Sequence, residues 1–449
     1  MGSVRDRRSP KRPWGEGSWK PALFLEPPYR LSVARLFVDV TPLRESRNFR
    51  LLFTGHLASM LGNQLTVVAI AYQVYQLTHS SLWVGLVSLF QLPFLIWGSL
   101  WGGALGDRTD KRRILAIGGA LLALLSCGLA VNSMLAHPSL VAIVLLSAAA
   151  AFGGGFVNPA RNASIPRLVS PTKLVSAYSL NQVGIQVATV VGPAISGLLL
   201  AGFGVASCYW VDVASFVVFV VATLRMDPLP PSEGVTAISS WRATKEGLAY
   251  LRTHKVAQGV YVADLNAMIF GMPRALFPAM GLTVFHGGPQ LVGLFFAAPG
   301  IGALLGAVTT GWVERVDRRG RAVIVAIVVW GVAITLFGLS PWVGLALVAL
   351  AVAGWADVIS AVLRNAILQS RIEDQYRGRL SAIQMAVVNG GPRLGDLESG
   401  AVAGITSTAV SVVSGGLACV VGSAFVAWHW RGFWNERASE LGSSDASHS

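Results

Sequence analysis

Along most of this chain polar positions do not alternate with apolar ones; they are excluded from long stretches and gathered between them. Twelve such runs are long enough to be helices that cross a bilayer, near Phe49 to Leu77, Leu82 to Leu105, Ile114 to Leu135, Leu140 to Val157, Leu174 to Phe203, Ala206 to Leu224, Val260 to Val284, Leu291 to Val313, Ala322 to Leu339, Val343 to Leu363, Leu380 to Thr406 and Ala409 to Trp430. A helix needs ~20 apolar residues to span ~30 Å of hydrocarbon, where it must satisfy its own backbone hydrogen bonds. The pattern predicts an all-α membrane protein.

The charges between the runs test that count. The chain carries 35 Lys and Arg against 22 Asp and Glu, a net charge of +13. In a soluble protein this excess points to nucleic acid, but here it is confined to alternate connections. With the amino terminus in the cytoplasm, 33 of the 35 basic residues fall on the cytoplasmic side, and connections such as Thr78 to Ser81, His137 to Ser139 and His286 to Gln290 hold none. A missed or extra span would invert every later loop, so the positive-inside rule supports twelve spans, both termini cytoplasmic, in an inner plasma membrane. It assigns the basic charge to lipid and topology, with no nucleic-acid partner.

Composition sharpens the reading. Charged residues are 13% of the 449 residues, mean hydropathy is +0.58, and there are 49 Gly and 14 Trp, a balance suited to close helix contacts and an interfacial aromatic belt. Residues 1 to 48 are rich in Arg, Pro and Gly and predict a mobile basic tail, residues 226 to 257 predict a cytoplasmic link with a short amphipathic helix from Trp241 to Lys255, and residues 431 to 449 predict a second tail. Cys127, Cys208 and Cys419 lie singly in apolar runs, with no disulfide or metal-ligand spacing. No lysine follows a glycine and no His-Glu-x-x-His pair exists, so the chain lacks the signatures of ATP or zinc chemistry. No cofactor, metal or enzymatic activity is expected.

The two sets of six spans, 49 to 225 and 258 to 430, repeat each other. Asp107-Arg108-Thr109-Asp110-Lys111-Arg112 returns as Glu314-Arg315-Val316-Asp317-Arg318-Arg319, Arg161-Asn162-Ala163 as Arg364-Asn365-Ala366, and Gly192-Pro193 as Gly391-Pro392. Duplicated bundles with a cavity between them are the architecture of alternating access.

The segment Gly103-Ala104-Leu105-Gly106-Asp107-Arg108-Thr109-Asp110-Lys111-Arg112 resembles the loop 2-3 signature of the major facilitator superfamily. Asn158-Pro159-Ala160-Arg161, Glu246 to Leu251 and Val388 to Pro392 are similar to its drug-proton antiporter branch, which includes enterobactin exporters and macrolide efflux proteins. The resemblance runs from about Thr41 to Trp430. It implies two pseudo-symmetric six-helix bundles and makes Gly103, Asp107, Arg108, Asp110 and Arg112 gating residues, with Glu314, Arg315, Asp317, Arg318 and Arg319 as a second-half echo. Physical chemistry supports the same role for Asp107, since a carboxylate at a helix end can meet both a basic cluster and a neighbouring helix amino terminus. Gly192, Pro193 and Gly197 on span 5 resemble an antiporter motif in which Ala188 and Ser196 replace two glycines.

Charges inside the spans mark the remaining candidates, because each is costly in hydrocarbon unless it faces protein or a wet cavity. Asp264, Arg274, Asp357, Arg393, Asp396 and Glu398 are candidates for proton or substrate coupling. Arg393 and Asp396 are three residues apart and are expected to pair directly, Glu398 points elsewhere without a fixed cation, and Asp212 is expected near the outer interface. Asn63 stands where relatives of this branch often place an acid. The expected activity is export of a hydrophobic or amphipathic small molecule, of drug or siderophore type, by a monomer in exchange for protons. Uptake or flipping of a lysolipid, and a membrane scaffold or sensor with a degenerate transporter fold, are the rival readings.

Overall fold

The computed structural model describes residues 39–106, 108–231, 240–372 and 374–437. Its long helices are labelled α1 (Arg47–Thr78), α2 (Ser81–Gly106), α3 (Lys111–Met134), α4 (Leu140–Leu168), α5 (Leu174–Phe203), α6 (Val205–Leu224), α7 (Lys255–Val284), α8 (Gly288–Thr309), α9 (Arg319–Leu339), α10 (Val343–Arg371), α11 (Asp374–Ile405) and α12 (Thr408–His429). Eleven of them are long and apolar enough to cross a membrane. The twelfth, α11, has 32 residues, ~48 Å at 1.5 Å per residue, and it contains Arg393, Asp396 and Glu398. Its charges lower its hydropathy because it lines the interior.

Local chemistry sets the helix ends. Ser46, Asp110, Ser139 and Ser407 accept from backbone N–H groups of the first turns of α1, α3, α4 and α12, satisfying donors that a helix start leaves open. His79 closes α1 in the left-handed region at φ 48°, and Gly204 turns between α5 and α6 at φ 77°. The connections at this end (78–81, 135–139, 204, 285–288, 340–342 and 406–407) contain no Lys, Arg, Asp or Glu; it is the uncharged end, and the opposite one is the basic end.

The first six helices and the last six each enclose an apolar core. In the second half, Phe277, Phe285, Phe295 and Phe337 meet edge to face near the uncharged end, with Phe295 and Phe337 centroids 5.2 Å apart. The halves meet where α2 crosses α11 and α5 crosses α8.

One helix departs from the uniform spans the sequence predicts. α7 is regular only to Phe270; it opens at Gly271 and continues as a 3-10 turn Arg274–Leu276, an α turn Phe277–Ala279 and a π turn Met280–Val284. Pro273 and Pro278 supply no N–H and disfavour regular helix before them. The break exposes backbone groups that find partners inside the protein: the Gly271 carbonyl accepts from Trp330 Nε1 at 2.7 Å, and the Ala275 N–H donates to Asp396 at 3.1 Å. Non-helical backbone at membrane depth requires such partners or a cavity wall.

Ordered contacts reach into both segments, 1 to 48 and 431 to 449, that the sequence predicts as tails. Within residues 39–48, Thr41–Glu45 is helical and the Asp39 carboxylate accepts from the Thr41 N–H at 2.9 Å, Ser176 Oγ at 3.0 Å and Lys173 Nζ at 3.2 Å. Those contacts hold the Asp39 carboxyl well below the usual range, the Thr41 hydroxyl and amide contributing most. Within residues 431–437, Phe433 is fully buried and Glu436 grips Arg371 at 2.6 and 3.1 Å. The link 226–257 holds a helix over Ser240–Thr253, where the sequence expects Trp241 to Lys255.

Candidate functional site

A cavity of about 430 Å³ lies between the halves. α1, α2 and α4 wall it on one side; broken α7, α8 and α11 wall it on the other. Val67, Ile70, Val87 and Phe296 give it an apolar surface, and Asn63, Gln91, Asn158 and Asn389 supply scattered amides. Its charged groups are Arg274, Arg393 and Asp396.

Their pairing differs from the expected one. Asp396 accepts from Ser88 Oγ of α2 at 2.7 Å and the Ala275 N–H at 3.1 Å, and its ion pair is with Arg274 at 3.7 Å. Arg393 instead donates from Nη1 to the Asn389 carbonyl of its own helix at 2.7 Å. The i, i+3 expectation failed because it treated α11 alone: the break in α7 carries an arginine and a free N–H to Asp396 from outside the helix, and Ser88 reaches it from the other half.

Asp264, Asp357 and Glu398 stand outside the cavity lining. Asp264 on α7 is 1% exposed and pairs with Arg364 of α10 at 2.8 Å, and Arg364 also donates to Ser360 at 2.6 Å. Asp357 lies two turns before Arg364 on α10, with no ion pair between them among the described residues. Glu398, half-buried on α11, has no hydrogen bond or ion pair among the described residues. The sequence points to Asp264 and Asp357 as separate candidates and does not single out Arg364 as a partner, although Arg364 belongs to one of its repeats.

Asp212 is not interfacial. It lies about 10 Å into α6 by helical rise, is 1% exposed, and accepts from Thr66 at 2.8 Å, Ser126 at 2.7 Å and Ser215 at 3.3 Å. Thr66 also lines the cavity, so this carboxylate sits directly behind the wall. Its surroundings required knowing that α1, α3 and α6 meet there. His56 was likewise missed: its Nε2 and the Arg161 Nε are buried without a partner among the described residues, where the second half places the Asp264–Arg364 pair.

Of the loop after α2, Asp107 lies outside the described residues. Asp110 caps α3 through the Arg112 N–H at 2.9 Å and accepts from the Leu229 N–H at 2.9 Å, while Arg112 donates to the Leu224 carbonyl and Arg108 is exposed. These contacts tie the loop to the end of α6 in its own half. In the echo after α8 the Glu314 side chain is outside the described residues, Arg315 and Arg318 are exposed, and Arg318 rather than Asp317 occupies the cap position of α9, with no side-chain cap bond.

The seam between the halves is tight at the uncharged end. A methyl group built on Gly400 of α11 would lie 2.6 Å from the Ser81 carbonyl oxygen of α2; one on Gly293 of α8 would lie 2.7 Å from Gly197 Cα of α5; one on Gly197 would lie 3.0 Å from the Gln290 carbonyl oxygen. Pro193 contributes its carbonyl to the same crossing, whereas Gly192 packs on Gln64 of α1, as its repeat partner Gly391 packs on Met268 of α7. At the basic end, Gly103 and Gly311 have none of the described residues within 4 Å of the equivalent position.

Comparison with known proteins gives one consistent answer. The family model described as transmembrane secretion effector matches residues 38–441. Enterobactin exporter EntS of Citrobacter koseri is 28% identical over 386 residues, covering 86% of this chain and 92% of the relative, and the Escherichia coli O1:K1 protein of that name is 26% identical over 384 residues with the same coverage. A crystal structure of the nucleoside transporter NupG superposes with a TM-score of 0.71 at 13% identity, covering 86% of this chain and 99% of that one. A bacterial homolog of the human lysosomal transporter Spinster, inward-facing and unoccupied, gives 0.67 at 15% identity, covering 87% and 98%. The structural likenesses speak for the fold alone. The twelve helices, the cavity between two repeated halves and the family match agree: the chain is a major facilitator transporter belonging to the transmembrane secretion effector family.

Proposed function

We propose that this transporter exports an amphipathic small molecule, of siderophore or drug type, from the cytoplasm by alternating access, in exchange for protons. The observation that carries the reading is the cavity between the halves, closed at one end by the contacts of Gly197, Gly293 and Gly400 across the seam, while Gly103 and Gly311 at the other end meet none of the described residues. The basic end is the cytoplasmic one, with both termini and the link 226–257 on that side, so the structure is a state that loads from the cytoplasm. Reversal brings α2 against α11 at the basic end, where Gly103 permits close approach and Asp107 meets the α11 terminus. The wall is complete within one chain, and a monomer is the working unit.

Proton exchange requires a carboxylate that lacks a permanent cation in at least one state. Asp264 is bound to Arg364 and Asp396 to Arg274, which leaves Glu398 and Asp357 without a cation among the described residues; we assign coupling to Glu398, with Asp212, held by hydroxyls behind Thr66, as its support. An efflux-deficient host expressing the chain, grown on a panel of amphipathic compounds, identifies the substrate. In proteoliposomes that substrate is then concentrated when a pH gradient is imposed; Glu398→Gln retains downhill movement and loses concentration. Accumulation by Glu398→Gln equal to wild type shifts the coupling role to Asp212 or Asp357.

A further inference from the structure

We propose that the central cavity binds an oxyanion group of its substrate between Arg393 and Arg274, so that the exported molecule is an amphipathic anion. The proposal rests on the exporter reading and deepens it. Two guanidinium groups and one carboxylate line the cavity, and among the described residues no second acid does. The carboxylate is fully served by Ser88, the Ala275 N–H and Arg274. Among the described residues Arg393 has no acidic partner within ion-pair distance, its hydrogen bond to the Asn389 carbonyl meets no charge, and the Nε atoms of both arginines are buried without partners. Arg274 is 37% exposed and meets Asp396 at 3.7 Å, outside normal hydrogen-bond length, so it too keeps donors for another group.

An uncompensated guanidinium at membrane depth is costly. Paired bidentate with a carboxylate or similar oxyanion it becomes one of the stronger polar contacts available to a protein. A cationic substrate would meet an excess of like charge in this cavity, and a neutral one would leave the arginine donors unpaired. Val67, Ile70 and Phe296 then hold the apolar body, and a volume of about 430 Å³ suits a compact ring system.

Two fluorescent probes separate these cases, since 8-anilinonaphthalene-1-sulfonate carries one sulfonate and N-phenyl-1-naphthylamine is the same skeleton without it. Binding is measured on the full chain in nanodiscs of neutral lipid, with empty nanodiscs subtracted. The wild type is expected to bind the sulfonate at least tenfold more tightly than the neutral probe, with 1-naphthoate and not 1-naphthamide displacing it. Arg393→Gln is expected to erase that preference while binding of the neutral probe stays within about twofold, and Arg393→Lys to restore most of it. Equal wild-type affinities, or a preference that survives Arg393→Gln, overturns the proposal. Should Arg393→Gln fail to fold, the wild-type probe ratio and the naphthoate competition decide alone. Selective anion binding without export of either probe retains the site and refutes export; export of the neutral probe with no anion preference does the reverse.

Discussion

The two ends of the helix bundle use the same residue for different purposes. At the uncharged end Gly197, Gly293 and Gly400 lie against backbone of the opposite half, where no larger side chain fits. At the basic end Gly103 and Gly311 meet none of the described residues, so no described contact in this state requires them to be glycine. Close packing explains the first set in one structure, whereas the second makes sense in a state where the basic end closes. The contrast teaches that, if the protein alternates as proposed, its sequence carries constraints from both states, and one structure accounts for only some of them.

The proposed rocking also requires each half to be held together more strongly than the halves hold each other. The largest expected effect therefore lies inside a half. Arg364→Gln leaves Asp264 buried without its cation, and breaking a buried pair costs about 3–5 kcal/mol; thermal unfolding in detergent should show a large loss of stability. Arg161→Gln, at the matching place in the first half, breaks no carboxylate pair and should cost much less. Equal losses would remove the distinction between the halves.

Between the halves the expected effect is smaller and conformational. Gly293→Val overpacks the α5/α8 crossing by about 1–3 kcal/mol, enough to shift a two-state equilibrium roughly 5- to 150-fold, with transport falling in proportion and folding retained. Gly103→Val sharpens the contrast: it should leave thermal stability unchanged, since its side chain enters open space, yet reduce transport by obstructing closure at the basic end. Normal transport by Gly103→Val would mean that Gly103 serves neither state.

The smallest expected effect is at Asp39. Its carboxyl pKa is depressed, so its anchoring of Lys173 is complete above the ordinary carboxylate value of ~4 and is lost only as pH falls toward the depressed one. Lowering the pH from 7.5 to 5.5 should leave the Asp39 anchor intact, and the stability difference between wild type and Asp39→Asn should be the same at both values. A difference that changes over that range would place the titration elsewhere.

Much of the fold was legible because a membrane simplifies the code: apolar runs give the helices and basic loops give their order, so most helix ends fall within a few residues of expectation. What was not legible depended on neighbours. The break in α7 has a local cause, with Gly271, Pro273 and Pro278 in view, but the run is apolar apart from Asp264, Asn266 and Arg274, and its length made it one span. Arg393 and Asp396 looked like a pair because only α11 was considered, and Asp212 looked interfacial because its hydroxyl partners come from α1 and α3 as well as α6. For Asp396 and Asp212 the deciding groups are remote in sequence.

Reciprocal motion of the two ends is the central claim, and two spin-label distances measure it directly. In a chain lacking Cys127, Cys208 and Cys419, one pair of labels at positions 137 and 340 reports on the uncharged end, and another at the repeat-related positions 162 and 365 on the basic end. Introducing Gly293→Val, which obstructs the uncharged seam, should lengthen the 137–340 distance and shorten the 162–365 distance together. Lengthening at 137–340 with no change at 162–365, or the same direction of change in both, would show that the ends do not alternate.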